Sequence, residues 1–171
     1  MIDLGRLSTT EYKKVEKLPL VVILEDVRSE MNVGSIFRTA DAFLVERMVL
    51  CGITSTPPRP EIHKTALGAE DSVSWVYSQN ILEVITQLRS EGYKIYSIEQ
   101  VHDSVSLEDF ELNKGEKIAI IFGNEVKGVS QAAVDASDGC IEIPQFGTKH
   151  SLNVANSAAI VMWEILKKTS L

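Results

Sequence analysis

The sequence is short of several features that would define it quickly. It has two cysteines, Cys51 and Cys140, far apart and each inside an apolar run. That spacing fits neither a disulfide scaffold nor a zinc site and predicts two buried free thiols. The three histidines, His63, His102 and His150, have no metal-ligand spacing among themselves, so no metal is expected. No apolar run approaches the ~18 residues of a membrane span. The longest, Leu18 to Leu24, is strand-sized and contains Pro19. Positive charge is also scarce, with 17 Lys and Arg against 24 Asp and Glu and a formal net charge of −7. A chain-wide grip on nucleic acid needs a basic footprint, so any such contact must be local or shared with a second subunit. Met1 to Arg6 lacks the charged start and apolar core of a signal peptide, which makes the cytoplasm the expected compartment.

What remains is an ordinary globular composition. The 171 residues are 44% hydrophobic and 24% charged, which excludes wholesale disorder and favours one domain. A charged segment, Thr9 to Lys17, reads as a short helix or arm, so residues 1–19 are set apart from a single domain at 20–171. Leu20 to Leu24 is a continuous β-branched and leucine run, the pattern of a strand buried on both faces. Further strands are expected at Met48–Gly52, Trp75–Tyr77, Lys94–Ile98, Ile118–Phe122 and Cys140–Ile143. Helices are expected at Asn32–Leu44, Ile81–Arg89, Ser130–Ala136 and Leu152–Lys168. Ser55 to Pro60 reads as a loop because of its prolines, and the acidic stretch from Asp103 to Glu116 as a solvated connection. Strands alternating with helices indicate an α/β fold around a mostly parallel sheet flanked by helices.

The final helix is apolar on nearly every side; from Leu152 to Leu166 only Asn153, Asn156, Ser157 and Glu164 are polar. Such a helix must be covered on more than one face, either by deep burial in the monomer or by a second subunit.

Three segments place polar or glycine residues just beyond strand ends, where α/β proteins bind ligands. The first runs from Glu25 to Arg38, with Asn32 a good helix cap. Arg38 is either functional or a surface arginine paired with Glu25, Asp26 or Asp41. The second, Gly123-Asn124-Glu125-Val126-Lys127-Gly128, permits tight turns and exposed amides, although a plain strand-to-helix turn would use the same residues. It is neither the P-loop nor the dinucleotide fingerprint. The third, Ile143 to Ala155, leads from a Pro-Gly loop into a helix start with Ser151 as the expected cap and free amides for an anion. A hydrolase reading is poor, because no serine sits in a Gly-x-Ser-x-Gly elbow.

In this order the three segments resemble the motifs of the SpoU family of RNA 2′-O-ribose methyltransferases, in the SPOUT superfamily. Asn32-x-Gly34-x-x-x-Arg38 resembles the first motif and Gly123-x-Glu125-x-x-Gly128 the second. Ile143-Pro144 through Gly147 to Ser151-Leu152-Asn153-Val154 resembles the third. The resemblance implies an α/β domain with a C-terminal deep trefoil knot. It implies an S-adenosylmethionine pocket held by Gly123, Ile143 and Leu152, and a homodimer with the active site at its interface. Arg38 would act on the ribose hydroxyl, with Asn32, Glu125, Ser151 and Asn153 positioning it and the nucleotide. RNA would be the partner, gripped by some of Lys13, Lys14, Lys17, Arg28, Arg59, Lys64, Lys127 and Lys149. The runs Leu24-Glu25-Asp26-Val27 and Arg38-Thr39-Ala40-Asp41-Ala42 resemble tRNA guanosine ribose methylators, which favours tRNA over rRNA. The competing expectation is a non-catalytic RNA-binding or assembly protein with the same fold.

Overall fold

In the computed structural model, residue 5 and residues 7–170 are described, without the Ser170 side chain. Most of the Met1–Arg6 segment read above, and Leu171, lie outside them. The chain folds as α1 (Thr9–Tyr12), β1 (Leu18–Glu25), α2 (Glu30–Ala42), β2 (Val45–Cys51), α3 (Pro60–Ala66), α4 (Ala69–Ser72) and β3 (Trp75–Ser78). It continues with α5 (Ile81–Ser90), β4 (Lys94–Ile98), β5 (Val105–Ser106), β6 (Ile118–Phe122), α6 (Gln131–Ala136), β7 (Gly139–Glu142) and α7 (Val154–Ser170).

The strands form one seven-stranded sheet in the order β3-β2-β1-β6-β4-β7-β5, with every pairing parallel. Side chains alternate across a strand, so a strand covered on both faces must be apolar at every position. β1 behaves this way. Leu20, Val22 and Leu24 pack under α2, α3 and α7 with Ile36, Phe37, Ile62, Val161 and Met162. Val21 and Ile23 face α5 and α6 with Ile85, Leu88 and Ala133. The continuous apolar run is thus the signature of a central strand with helices on both sides. The expected α/β architecture is the one observed.

Where element boundaries differ, tertiary contacts chose among equivalent candidates. α2 starts at Glu30 rather than Asn32, because the Ser29 hydroxyl accepts from Asn32 N and caps the helix. α7 starts at Val154, and its cap is Asn153 rather than Ser151: Asn153 Oδ1 accepts from Ala155 N at 2.9 Å and Asn156 N at 3.2 Å. The proline-rich segment is a loop only as far as Arg59; Pro60 opens α3, a position where its missing N–H costs nothing. β5 pairs with β7 at the sheet edge inside the connection read as purely solvated. Cys51 and Cys140 are both buried free thiols, and burial pushes the Cys51 thiol up to about 12, aided by Glu25 and Asp26. No helix among the described residues is long and apolar enough to cross a membrane.

Gly34 of the first motif has a packing explanation. A Cβ there would collide with the Thr65 hydroxyl and the Ile62 carbonyl, so glycine lets α2 and α3 approach closely. α7 buries Ala158, Val161, Met162 and Ile165 against the sheet and leaves Ile160 41% and Trp163 48% exposed. Its far end is fastened by Lys168, whose ammonium donates to the carbonyls of Leu107, Glu108 and Phe110 at 3.1, 2.9 and 2.6 Å.

Candidate active site

β1 and β2 build one wing of the sheet, and after β3 the chain returns to the other side of β1 to lay down β6, β4 and β7. The C-terminal side of such a switch is where open parallel sheets bind ligands. Here the loops after β4, β6 and β7 and the entrance of α7 enclose a cavity of about 500 Å³. That size lies within the range of small-molecule sites. Gly123, Ile143 and Leu152, the residues expected to hold a cofactor, all line it, as do Glu125, Ser151 and Asn153.

The loop after β6 is built by its own polar groups. Asn124 Oδ1 accepts from Val126 N and Lys127 N, and the backbones of Asn124 and Gly128 exchange both hydrogen bonds. A Cβ on Gly123 would strike the backbone of Gly128 and Val129, and Gly128 sits at φ +71°, in the left-handed region that favours glycine. Both glycines are therefore required by the turn itself, and the cavity inherits its shape from them.

One hydrogen-bonded chain joins all three sequence segments. Glu125 accepts from Arg28 N at 2.9 Å, Ser29 N at 3.0 Å and Asn32 Nδ2 at 3.2 Å. Asn32 Oδ1 then accepts from Asn153 Nδ2 at 3.2 Å. Asn124 Nδ2 adds a bond to Asp26 O at 2.8 Å, closing the β1–α2 loop onto the same turn. Burial alone would raise the Glu125 carboxyl, but the amides of Arg28 and Ser29, its own backbone amide and Asn32 outweigh that effect and hold it below the ordinary carboxylate range. A carboxylate so engaged is an anchor, poorly suited to taking up a proton.

Ser151 lines the cavity and makes no side-chain hydrogen bond among the described residues. Arg38 is elsewhere. Six residues from Asn32 is ~240° around a helix, and Arg38 opens into a second hollow of about 840 Å³ between α1, α2 and α4, near Tyr12 and Asp41. Its guanidinium has no hydrogen bond or ion pair among the described residues, so the surface pairing with Glu25, Asp26 or Asp41 does not form.

The sequence reading missed Glu99 and Gln100, which follow β4 and line the cavity. Glu99 Oε2 accepts from Val129 N at 2.9 Å and so supports the second motif from beneath. Its signal was present, a polar pair immediately after a strand. Buried Glu25 was also unassigned; it accepts from both the amide and the hydroxyl of Ser130, tying the end of β1 to the start of α6.

Residues 19–163 match the profile of the SpoU rRNA Methylase family. The chain belongs to this family. It is 31% identical over 163 residues to an uncharacterised tRNA/rRNA methyltransferase of Borreliella burgdorferi, covering 94% of this chain and 68% of that one. The A. aeolicus TrmH/SpoU tRNA modifying enzyme shares the fold, with a TM-score of 0.82 at 23% identity over 94% of this chain and 80% of the other. A C-terminal trefoil knot, which the sequence resemblance implies, fits that likeness. The AdoMet-bound rRNA methyltransferase of Sinorhizobium meliloti superposes with a TM-score of 0.81 at 25% identity, covering 91% of this chain and 59% of that one. The chain spans 62% of the length of a Staphylococcus aureus relative named as a TrmH family tRNA/rRNA methyltransferase, which it matches at 29% identity.

The cavity of this SpoU family member suits a nucleoside-bearing cation. It combines the apolar side chains of Ile98, Phe122, Ile143 and Leu152 with the carboxylates of Glu99 and Glu142. Apolar walls accept a base, and carboxylates complement a positive ligand.

Proposed function

We propose that this protein transfers a methyl group from S-adenosylmethionine to a ribose 2′-hydroxyl of structured RNA, with tRNA favoured over rRNA. The observation that carries the reading is the Glu125–Asn32–Asn153 chain, which ties the three family motifs into one wall of a cavity of nucleoside size. Gly123, Ile143 and Leu152 would hold the cofactor, which supplies an electrophilic methyl on a sulfonium. Asn32, Glu125 and Asn153 fix the loops around it, and Ser151, unpaired at the mouth, positions the nucleotide.

The attacking hydroxyl is a weak acid, so its developing negative charge needs stabilising. Arginine keeps its charge across the physiological range and binds phosphate or an alkoxide through a fixed fork. In this proposal Arg38 clamps a phosphate of the RNA and stabilises the oxyanion. Because Arg38 opens away from the cavity of its own chain, the arginine acting at each cavity comes from a second copy. The exposed apolar pair Ile160 and Trp163 on α7 supports the same homodimer. Residues 20–171 then form the catalytic domain and residues 1–19 an arm whose last two residues already belong to β1, and the compartment is the cytoplasm.

The test is transfer of labelled methyl from S-adenosylmethionine to unmodified tRNA and, separately, to rRNA, followed by digestion to nucleosides. The expected product is a 2′-O-methyl nucleoside from tRNA. Base methylation overturns the ribose assignment, and label in rRNA alone overturns the tRNA preference. No label and no cofactor binding would leave a non-catalytic RNA-binding protein.

A further inference from the structure

We propose that Arg28, Lys127 and Lys149 form a cationic rim around the cavity and hold phosphodiesters of the RNA strand flanking the target nucleotide. The inference rests on the methyl-transfer reading above and adds the residues that grip the substrate.

A chain of net charge −7 has few cations to spare, and most are engaged within the fold. Arg47 pairs with Glu91, Lys64 with Glu61, Arg89 with Asp138 and Lys94 with Glu116, while Lys167 and Lys168 share Glu164. Lys17 donates to the carbonyls of Tyr12 and Val15 and lies over the Tyr12 ring, and Arg59 faces Glu30 at 3.9 Å. Of the basic residues suggested by sequence for an RNA grip, Lys17, Arg59 and Lys64 are therefore committed elsewhere.

Arg28, Lys127 and Lys149 are exposed and make no ion pair and no side-chain hydrogen bond among the described residues. Each comes from a different one of the three motif-bearing segments. The Arg28 amide sits on the Glu125 carboxylate. Lys127, two residues beyond Glu125, lines the cavity, and Lys149 immediately precedes His150, which also lines it. Of the three, Lys127 itself lines the cavity, while Arg28 and Lys149 adjoin residues that contact or line it; the other uncommitted cations among the described residues lie elsewhere, Lys13 and Lys14 after α1, Lys114 in the turn before β6, and Arg38 at the second hollow.

The carboxylates nearby are held on donors of the fold and form no ion pair with the rim cations. Glu125 turns its oxygens inward onto three N–H groups, and Glu99 and Glu142 bond to Val129 N and the Ser104 hydroxyl. The result is a cavity with acidic walls beneath a basic mouth. A cationic small molecule suits the first and a polyanionic strand the second. Neutralising phosphates releases counterions, so each such contact contributes to the salt dependence of binding.

The test replaces Arg28, Lys127 and Lys149 with Gln, singly and together, and titrates each variant with unmodified total tRNA at salt concentrations from about 50 to 200 mM. Each single change is expected to lower the slope of log K against log salt by about 0.7–0.9, and the triple variant by about 2–3. The thermal midpoint of every variant, and the S-adenosylmethionine affinity of the Arg28 and Lys149 variants, should stay at wild type, which establishes that the variants fold. Lys64→Gln, at an ion-paired lysine, should keep the wild-type slope. A triple variant with an unchanged slope overturns the proposal, as does an Arg28 or Lys149 variant whose cofactor affinity falls with its RNA affinity. Wild-type protein that binds tRNA through this rim but transfers no methyl would sink the catalytic reading and leave the rim standing.

Discussion

Asn153 donates from Nδ2 to Oδ1 of Asn32 across 3.2 Å, joining residues 121 positions apart in the chain. Both amides are used at both ends. Asn153 Oδ1 caps α7, and Asn32 Nδ2 reaches Glu125. Each amide therefore has one orientation that satisfies all its partners. Asn153→Asp keeps the capping oxygen and removes the donor to Asn32. Its stability in denaturant should stay near wild type while methyl transfer collapses. Asn153→Ala should lose transfer and also about 1 kcal/mol of stability through the missing cap. Equal stability losses for the two variants would refute the division of labour.

The Glu125 carboxyl titrates below its ordinary range in the folded protein. A group of that kind stabilises the fold fully above the unfolded carboxylate pKa of ~4.3, and the contribution fades as pH falls through the lowered folded value. The gap in thermal midpoint between wild type and Glu125→Gln should be widest from neutral pH down to about 5 and narrow steadily below that. A gap that widens toward acid would reverse the sign argued here.

Gly34→Ala forces a methyl into the contact between α2 and α3, against the Thr65 hydroxyl and the Ile62 carbonyl. Overpacking at such a contact costs about 1–3 kcal/mol. Chemical denaturation should show that loss. Thr65→Ser or Thr65→Gly would not relieve it fully, because the carbonyl of Ile62 remains.

Lys168→Ala removes three charge-assisted bonds that hold the end of α7 to the carbonyls of Leu107, Glu108 and Phe110. Bonds to a charged group contribute about 1.5–3 kcal/mol, and a loss of about 2 kcal/mol lowers the thermal midpoint of a domain this size by about 4–8 °C. Amide exchange should quicken around residues 107–110.

Arg38→Ala should abolish methyl transfer while leaving cofactor affinity near wild type. Mixed with a variant whose cavity is disabled but whose Arg38 is intact, it should regain activity through hybrid dimers. A mixture as inactive as its components would place Arg38 at the cavity of its own chain.

Much of this architecture was legible in the residue pattern, because β1 carries an unbroken apolar run that only double-sided burial explains, whereas α7 buries one face and leaves Ile160 and Trp163 exposed. Positions decided by distant partners were harder. Ser29 and Asn32 are both good caps, as are Ser151 and Asn153; the choice between them depends on where Glu125 and Asn32 lie in space. α3, α4 and β5 are too short to carry a period of their own. The glycines of the second segment suggested amides exposed to a ligand, yet Gly123 is set by neighbouring backbone and Gly128 by its positive φ. Arg38 was recognisable by type and spacing, but its direction on α2 was not.

The cavity walls come from residues 98 to 157, and the bond that latches them reaches back to Asn32. Contacts this distant in sequence form late, since the intervening chain must first be ordered. On the ribosome, β1 to β3 can emerge and pair long before Asn153 is synthesised. The latch is thus among the last parts to be made: a polypeptide arrested before Asn153 would carry all seven strands and still lack the bond that ties the cavity wall to Asn32.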